Sequence, residues 1–229
     1  MIKKLFVGTA MLALLAGCSS TPEVQTGEDA EVIGDNLHRI DNSKADVAYI
    51  DPDADFSKYT KVMVLPLGVD KIEVIQPDKN TSSINRTGRD WELTDADKTM
   101  LQEAFKSAME KHLQEKGDFP LVNEIGDDVL QISAMITAIA PSATKDDNRS
   151  RGAGRNYVIT EGSGAMAVAV AIGDSETGEV LALIKDSRAS NGHWGLNNSV
   201  SNKADVQRMF NSWAMQINSS LAKVTGKEE

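Results

Sequence analysis

The chain has 229 residues, with 24 Lys and Arg against 34 Asp and Glu, and a formal charge of −10. An acidic surface of this size argues against binding to nucleic acid and against direct adsorption to anionic lipid. The single cysteine excludes a disulfide within the chain, so a hydrophobic core must stabilise the fold, and the length is sufficient for one.

The first eighteen residues have the pattern of a bacterial export signal. Lys3 and Lys4 form a positive start, and the apolar run that follows, residues 5–15, is shorter than a membrane span. The sequence Leu-Ala-Gly then leads into Cys18. The alternatives are an ordinary secretory signal or the first turns of a buried helix, with Cys18 as a small buried hydrophobic residue.

The stretch around Cys18 resembles the lipobox of bacterial lipoproteins. This resemblance implies that residues 1–17 are a signal peptide, that Cys18 carries acyl chains such as palmitate, and that the mature protein faces an envelope compartment. Several acyl chains anchor a protein almost permanently, at about 0.8 kcal/mol per buried methylene. Ser19 stands where lipoproteins of the inner membrane often have Asp. By this analogy we expect a lipid anchor in the outer membrane, on its periplasmic face.

The residues after Cys18 divide into a tether and a domain. Residues 18–45 are polar, which is typical of a flexible tether, and residues 46–225 are expected to form a single domain. Within the domain, the apolar run 61–67 predicts a strand, and Pro66 indicates that it ends there or lies at a sheet edge. A long polar loop follows, with a short strand at residues 71–75 as an alternative.

Two segments have the spacing of amphipathic helices, with apolar residues at steps of three and four. The first is predicted at residues 93–116, where Thr94 can cap the first turn together with Asp97, and Gly117 ends it. The second is predicted at residues 202–224.

Further strands are predicted from residues that alternate between apolar and polar. In one of them alanines alternate with larger side chains, so one face is small and permits close packing. Gly178 follows it, in the left-handed position of a hairpin turn. The whole pattern predicts an α+β fold, a mainly antiparallel sheet of about 4–5 strands with two amphipathic helices packed on one face. These strands are expected at residues 119–122, 128–140, 165–172 and 180–186.

Four stretches together resemble a family of proteobacterial outer-membrane lipoproteins classed as a domain of unknown function. They are Asp-Val-Ala-Tyr-Ile-Asp-Pro-Asp-Ala-Asp-Phe from Asp46, Phe-Pro-Leu-Val from Phe119, Asp-Ser-Glu-Thr-Gly-Glu-Val-Leu-Ala from Asp174, and Phe-Asn-Ser-Trp-Ala from Phe210. The resemblance covers roughly residues 46–224. It implies an outer-membrane lipoprotein and brings no catalytic residues with it.

The chain offers no convincing metal or cofactor motif. Asp51, Asp53 and Asp55 have the spacing that opens a calcium loop, but Phe56 and Val62 occupy the positions that need Gly and Glu. The three aspartates are therefore interpreted as turn and cap residues. The three histidines are too scattered in the sequence for a zinc site. We expect no cofactor and no metal.

Two functions remain open, and a binding or accessory module is favoured over an enzyme. A cationic, aromatic surface on an acidic domain suits an envelope protein or an acidic glycan as partner. The alternative is a hydrolase or transferase that acts on cell wall or glycan, using a carboxylate such as Glu161 or Asp186 in a concave site. The candidate partner-binding residues lie in two polar loops: Lys145, Arg149, Arg151, Arg155, His193 and Trp194.

Overall fold

The computed structural model describes residues 21–77, 90–142, 159–161, 164–190, 194–196 and 199–227, and it describes the backbone alone at 159–161, 194–196 and 199–201. The described residues form eleven strands and two α-helices, with a short 3₁₀ helix and a π-helical segment. The strands are β1 (Glu23–Val24), β2 (Val32–Ile33), β3 (Leu37–Asp41), β4 (Val47–Ile50), β5 (Lys61–Val64), β6 (Glu73–Val74), β7 (Val129–Pro141), β8 (Ile159–Glu161), β9 (Gly164–Asp174), β10 (Val180–Ala189) and β11 (Trp194–Leu196), and the helices are α1 (Asp95–Met109) and α2 (Ser199–Val224).

Nine of these strands join in one sheet, and β8 pairs with β11 separately. The order across the sheet is β1-β3-β4-β10-β9-β7-β5, with β2 beside β3 and β6 beside β7. Only β5 and β6 run parallel to their partner β7, so the prediction of a mainly antiparallel α+β sheet is confirmed. The prediction of about 4–5 strands is wrong, because the sheet has nine.

The additional strands come from the start of the described chain. β1, β2 and β3 lie within residues 18–45, the segment expected to be a flexible tether, and β4 follows directly. Two of them have two residues each and β3 has five, which is too short to show a clear period in the sequence. Their main-chain groups are paired by the sheet, so ordered structure begins earlier in the chain than expected.

The longer predicted strands are confirmed as β5, β7, β9 and β10. β5 ends before Pro66 and lies at the sheet edge, as the proline indicated. Gly178 has a positive φ of 72° in the hairpin between β9 and β10. The strand expected at residues 119–122 is not formed: Phe119 is buried in the core, and Leu121 makes a single bridge to Val62.

Both amphipathic helices are confirmed. Thr94 caps α1 through a reciprocal pair of hydrogen bonds with Asp97, and α1 continues as a π-helical segment over Glu110–Glu115. The rings of Phe105 and Phe210 meet edge to face at 5.7 Å and join α1 to α2. Neither helix, among the residues described, is long and apolar enough to cross a membrane.

The core lies between the two helices and one face of the sheet. Along β7, Leu130, Ile132, Ala134 and Ile136 are buried while the alternate residues are more exposed. Because side chains alternate between the two faces of a strand, this pattern places both helices on the same face. The alanines of β9 point to the opposite face, where Ala169 and Ala171 line an open groove of about 510 Å³.

Candidate functional site

The width of the sheet creates an apolar cleft beside α2. Seven strands in order span roughly 29 Å at about 4.8 Å between neighbours, whereas two helices side by side cover roughly 20 Å. α1 lies near the β5 edge, where the Gln102 side chain donates to the carbonyl of Leu67 at 3.0 Å. The part of the sheet beyond α2, around β10 and β4, is therefore left partly uncovered.

We call this space the α2 cleft, and its volume is about 500 Å³. Its floor is formed by side chains of β4, β9 and β10, and one wall by the C-terminal half of α2. Met215 and Val224 border it and remain 51% and 39% exposed. The apolar residues that line it include Ala48, Ile50, Val168, Val170, Ile172, Ala182, Ile184, Ile217 and Leu221.

A buried polar cluster closes one part of the α2 cleft. Asp186 of β10 is 7% exposed. Its Oδ2 accepts from Trp213 Nε1 at 2.7 Å and from Arg188 Nε at 3.0 Å, and its Oδ1 accepts from the main-chain N–H of Asp46 at 3.1 Å. Both carboxylate oxygens are thus engaged. The cluster joins α2, β10 and the segment that leads into β4.

Arg188 completes this cluster from the cleft side. Its guanidinium lies 5.5 Å from the centre of the Trp213 ring and donates to Ser212 and Gln216 of α2. A planar guanidinium suits this combination of stacking and paired donation. Its charge offsets that of Asp186, as a buried carboxylate requires. The arrangement orients α2 on the sheet, and the lining of the cleft is mainly apolar.

The start of the described chain forms the rim of the α2 cleft. Pro22 lines it, together with Ile40, Ser43, Lys44 and Ala45. Pro22 leads into β1, in which Glu23 pairs with Asp41 and Val24 pairs with Ile40. The N-terminal segment is therefore fastened at the mouth of the cleft by main-chain pairing.

A second buried carboxylate stabilises the β9–β10 hairpin. Burial alone would raise the pKa of Asp174, but donation from the main chain of Thr177, from Tyr59 Oη at 2.7 Å and from Lys58 Nζ at 3.1 Å holds that pKa well below its ordinary value. Burial and the bond to Asp174 raise the pKa of Tyr59 to about 12. The group ties the turn to the segment that precedes β5 and does not line the α2 cleft.

His112 lies in the π-helical segment that continues α1. It is 5% exposed, and its Nε2 has no hydrogen-bond partner among the described residues. Burial lowers the pKa of His112, and Lys111 and Lys116 lower it further, while a hydrogen bond with Asn211 acts in the opposite direction. The interpretation of His112 as a structural residue agrees with this position.

Most of the predicted site residues lie outside the described residues: Cys18, Lys145, Arg149, Arg151, Arg155 and His193. Trp194 is placed by its backbone alone, in β11, where it pairs with Glu161 of β8. The lipid anchor and the partner-binding surface therefore stay predictions. The side chain of Glu161 is likewise not described.

The aspartates with calcium-loop spacing have other partners in the structure. The Asn36 side chain donates to Asp51 at 2.7 Å and to Asp53 at 3.0 Å. Asp55 caps the short 3₁₀ helix Phe56–Lys58 by accepting from the main chain of Ser57. The described residues contain no group of three or more His, Cys, Asp or Glu that could hold a metal ion.

Sequence reasoning named Asp186 but missed Trp213 and Arg188 as its partners. The residues share no local motif, because Asp186 and Trp213 are 27 positions apart. A weak signal was present. An Arg two residues after an Asp on one strand lies on the same face, so Arg188 could have been expected beside Asp186.

Comparison with known proteins shows the family of the chain. The family model described as "Protein of unknown function (DUF3313)" matches residues 34–217. No match was found among curated proteins. Among solved structures, protein XCC0632 from Xanthomonas campestris, assigned to DUF330, is 12% identical, with 73% of this chain and 86% of that chain covered and a TM-score of 0.44. The PelC dodecamer from Paraburkholderia phytofirmans is 8% identical, with 86% and 97% covered and a TM-score of 0.36.

These structural similarities are too low to carry an argument about function or assembly. The family match spans most of the sheet, all of α1 and most of α2, from Gly34 to Ile217. It confirms that the chain resembles a domain of unknown function. The chain therefore belongs to the DUF3313 family.

Proposed function

We propose that the protein is a non-enzymatic binding module of the bacterial envelope, anchored to the outer membrane through an acylated Cys18. The α2 cleft is its binding site. The observation that carries this proposal is an apolar cleft of about 500 Å³ whose buried charges are bound to one another. A space of this size is typical of a site for a small apolar ligand or chain, for which pockets of about 300–1,000 Å³ are usual.

The state of Asp186 supports binding rather than chemistry. A general acid or base must reach a proton of the substrate. Both oxygens of Asp186 instead accept hydrogen bonds from Trp213, Arg188 and the main chain of Asp46. The carboxylate that the hydrolase alternative would use at this site is therefore engaged in holding α2.

The export signal supports the location. Lys3, Lys4 and the apolar run that ends before Cys18 have the order of a lipoprotein signal, and Ser19 favours the outer membrane by analogy. The acidic surface supports a lipid anchor over direct adsorption to anionic lipid. The protein thus sits on the periplasmic face, on its acyl chains.

A second surface contacts a partner protein or acidic glycan. Its residues are Lys145, Arg149, Arg151, Arg155, His193 and Trp194. The pairing of β8 with β11 supports this surface, because it brings the backbone of residues 159–161 beside that of 194–196. Charge reversal at Arg149, Arg151 and Arg155 together should remove the partners captured by crosslinking in cells. An unchanged set of partners would contradict this surface.

Ligand binding in the α2 cleft can be measured on the lipidated full-length protein. Since the acyl anchor occupies Cys18, the variant Met215→Cys carries one free thiol for a solvatochromic dye. In nanodiscs, oleate should shift the emission of the dye, because an apolar chain displaces water from the cleft. Ser219→Trp, which fills the cleft from α2, should abolish the shift.

A dye at Ala204→Cys provides the matched control, because Ala204 is exposed on the same helix but does not line the cleft. The emission of this variant should not respond to oleate. Equal responses at positions 204 and 215 would contradict a binding site in the α2 cleft, and so would no response at either position if photocrosslinking at position 215 also captures no acyl chain.

A further inference from the structure

The rim of the α2 cleft is formed by the residues that lead directly to the lipid anchor. Pro22 lines the cleft, and β1 begins at the next residue. Because Val24 pairs with Ile40, which also lines the cleft, Pro22 is held at the rim. The chain therefore enters the fold at the mouth of the α2 cleft.

Cys18 lies four residues before Pro22. Four residues span at most about 14 Å when fully extended. The Cα of Cys18 thus lies within about 14 Å of the Cα of Pro22 in every conformation that the intervening chain can adopt, so the acyl chains attached to Cys18 begin close to the cleft mouth. Such a short connection gives the attached chain a high effective concentration at the cleft.

The size and polarity of the cleft suit one acyl chain. A methylene group is close in size to a water molecule, whose share of the liquid is about 30 Å³, so sixteen carbons need roughly 480 Å³. The cleft offers about 500 Å³ between side chains such as Ile50, Ile184 and Ile217. Lys44 and Lys223 also line it. Their ammonium groups suit the ester carbonyl oxygens at the end of a glyceride chain.

We propose that the α2 cleft receives one acyl chain from the lipidated Cys18 of the same molecule. This inference rests on the proposed function, since it names the ligand of that site. A chain that moves between the bilayer and the cleft stays out of water in both places, so the exchange costs little hydrophobic free energy. The cleft holds one chain, and the remaining chains of the anchor stay in the membrane. The lipid anchor is thereby attached to the domain at the α2 cleft as well as through the main chain after Cys18.

Photocrosslinking of the lipidated full-length protein tests this directly. A benzophenone amino acid replaces Met215, and cells are grown with an alkyne analogue of palmitate to mark the acyl chains. After irradiation, mass spectrometry should find the acylated N-terminal peptide joined to the α2 peptide that contains position 215. The same amino acid at Ala204, outside the cleft, should give no such product. Ser219→Trp should abolish the product at position 215.

The other outcomes separate this inference from the proposed function. A crosslink at position 215 to membrane phospholipid would overturn the inference while leaving the cleft a site for apolar chains. A product between isotopically light and heavy copies would assign the chain to a second molecule and would also overturn it. If neither lipid nor acyl chain is captured at position 215, and oleate gives no dye response there, both the inference and the proposed function are wrong.

Discussion

Replacement of Trp213 by Phe tests whether the buried cluster holds α2 on the sheet. Trp213 Nε1 donates to Asp186 Oδ2 at 2.7 Å, and Asp186 is 7% exposed. A hydrogen bond to a charged group contributes about 1.5–3 kcal/mol. Phe keeps the aromatic packing on Phe210, whose ring centre lies 5.8 Å from that of Trp213. The free energy of unfolding should therefore fall by about 1.5–3 kcal/mol.

The assay is urea unfolding of the lipidated protein in detergent at pH 7, followed by far-UV circular dichroism. Asp186→Asn and the double variant complete a cycle. Since the indole N–H interacts with the carboxylate directly, the two changes should couple by about 0.5–3 kcal/mol. If the effects of Trp213→Phe and Asp186→Asn simply add, the cluster does not act as a unit and the reasoning is refuted.

Three further predictions concern the hairpin carboxylate, the buried histidine and the anchor. Tyr59→Phe should lower the free energy of unfolding by about 1.5–3 kcal/mol at pH 7, because Asp174 loses a buried donor. Since the folded pKa of Asp174 is lowered, the stability that its carboxylate contributes is present above the ordinary Asp pKa of about 3.9 and is lost progressively as pH falls below it. Urea unfolding should therefore show a smaller effect of Asp174→Asn at pH 3 than at pH 7, and an equal effect would contradict the assignment. Since the folded pKa of His112 is lowered, the wild type should lose stability as pH falls below about 6.5. Thermal unfolding at pH 7.5 and at pH 5 should show a smaller loss of stability for His112→Gln than for the wild type. An identical loss would exclude His112 as its cause. Radiolabelled palmitate should label the wild type and not Cys18→Ala, and equal labelling of both would rule out the anchor.

Features that depend on neighbours in the chain were predictable from the sequence. The cap of α1 requires only Thr94 and Asp97, three residues apart, and both hydrogen bonds are present. The hairpin after β9 requires only a glycine that tolerates positive φ at Gly178. Both helices and the long strands β7, β9 and β10 contain enough periodic apolar residues for each to be predicted from its own segment of the sequence.

Features that depend on pairing across the chain were not predictable. β1, β2 and β6 have two residues each and become strands only because longer strands offer them main-chain partners. Asp186 meets Trp213 only after α2 packs on β10.

The sequence by itself determined the two amphipathic helices and the α+β class, because both depend on the local spacing of apolar residues. It also predicts the acyl anchor at Cys18, from the stretch that precedes it. Only the tertiary structure decided the width of the sheet. That width exceeds what two helices cover, and the uncovered part is the α2 cleft, with Pro22 at its rim. The site thus depends on how many strands are recruited, a property that no single segment of the chain contains.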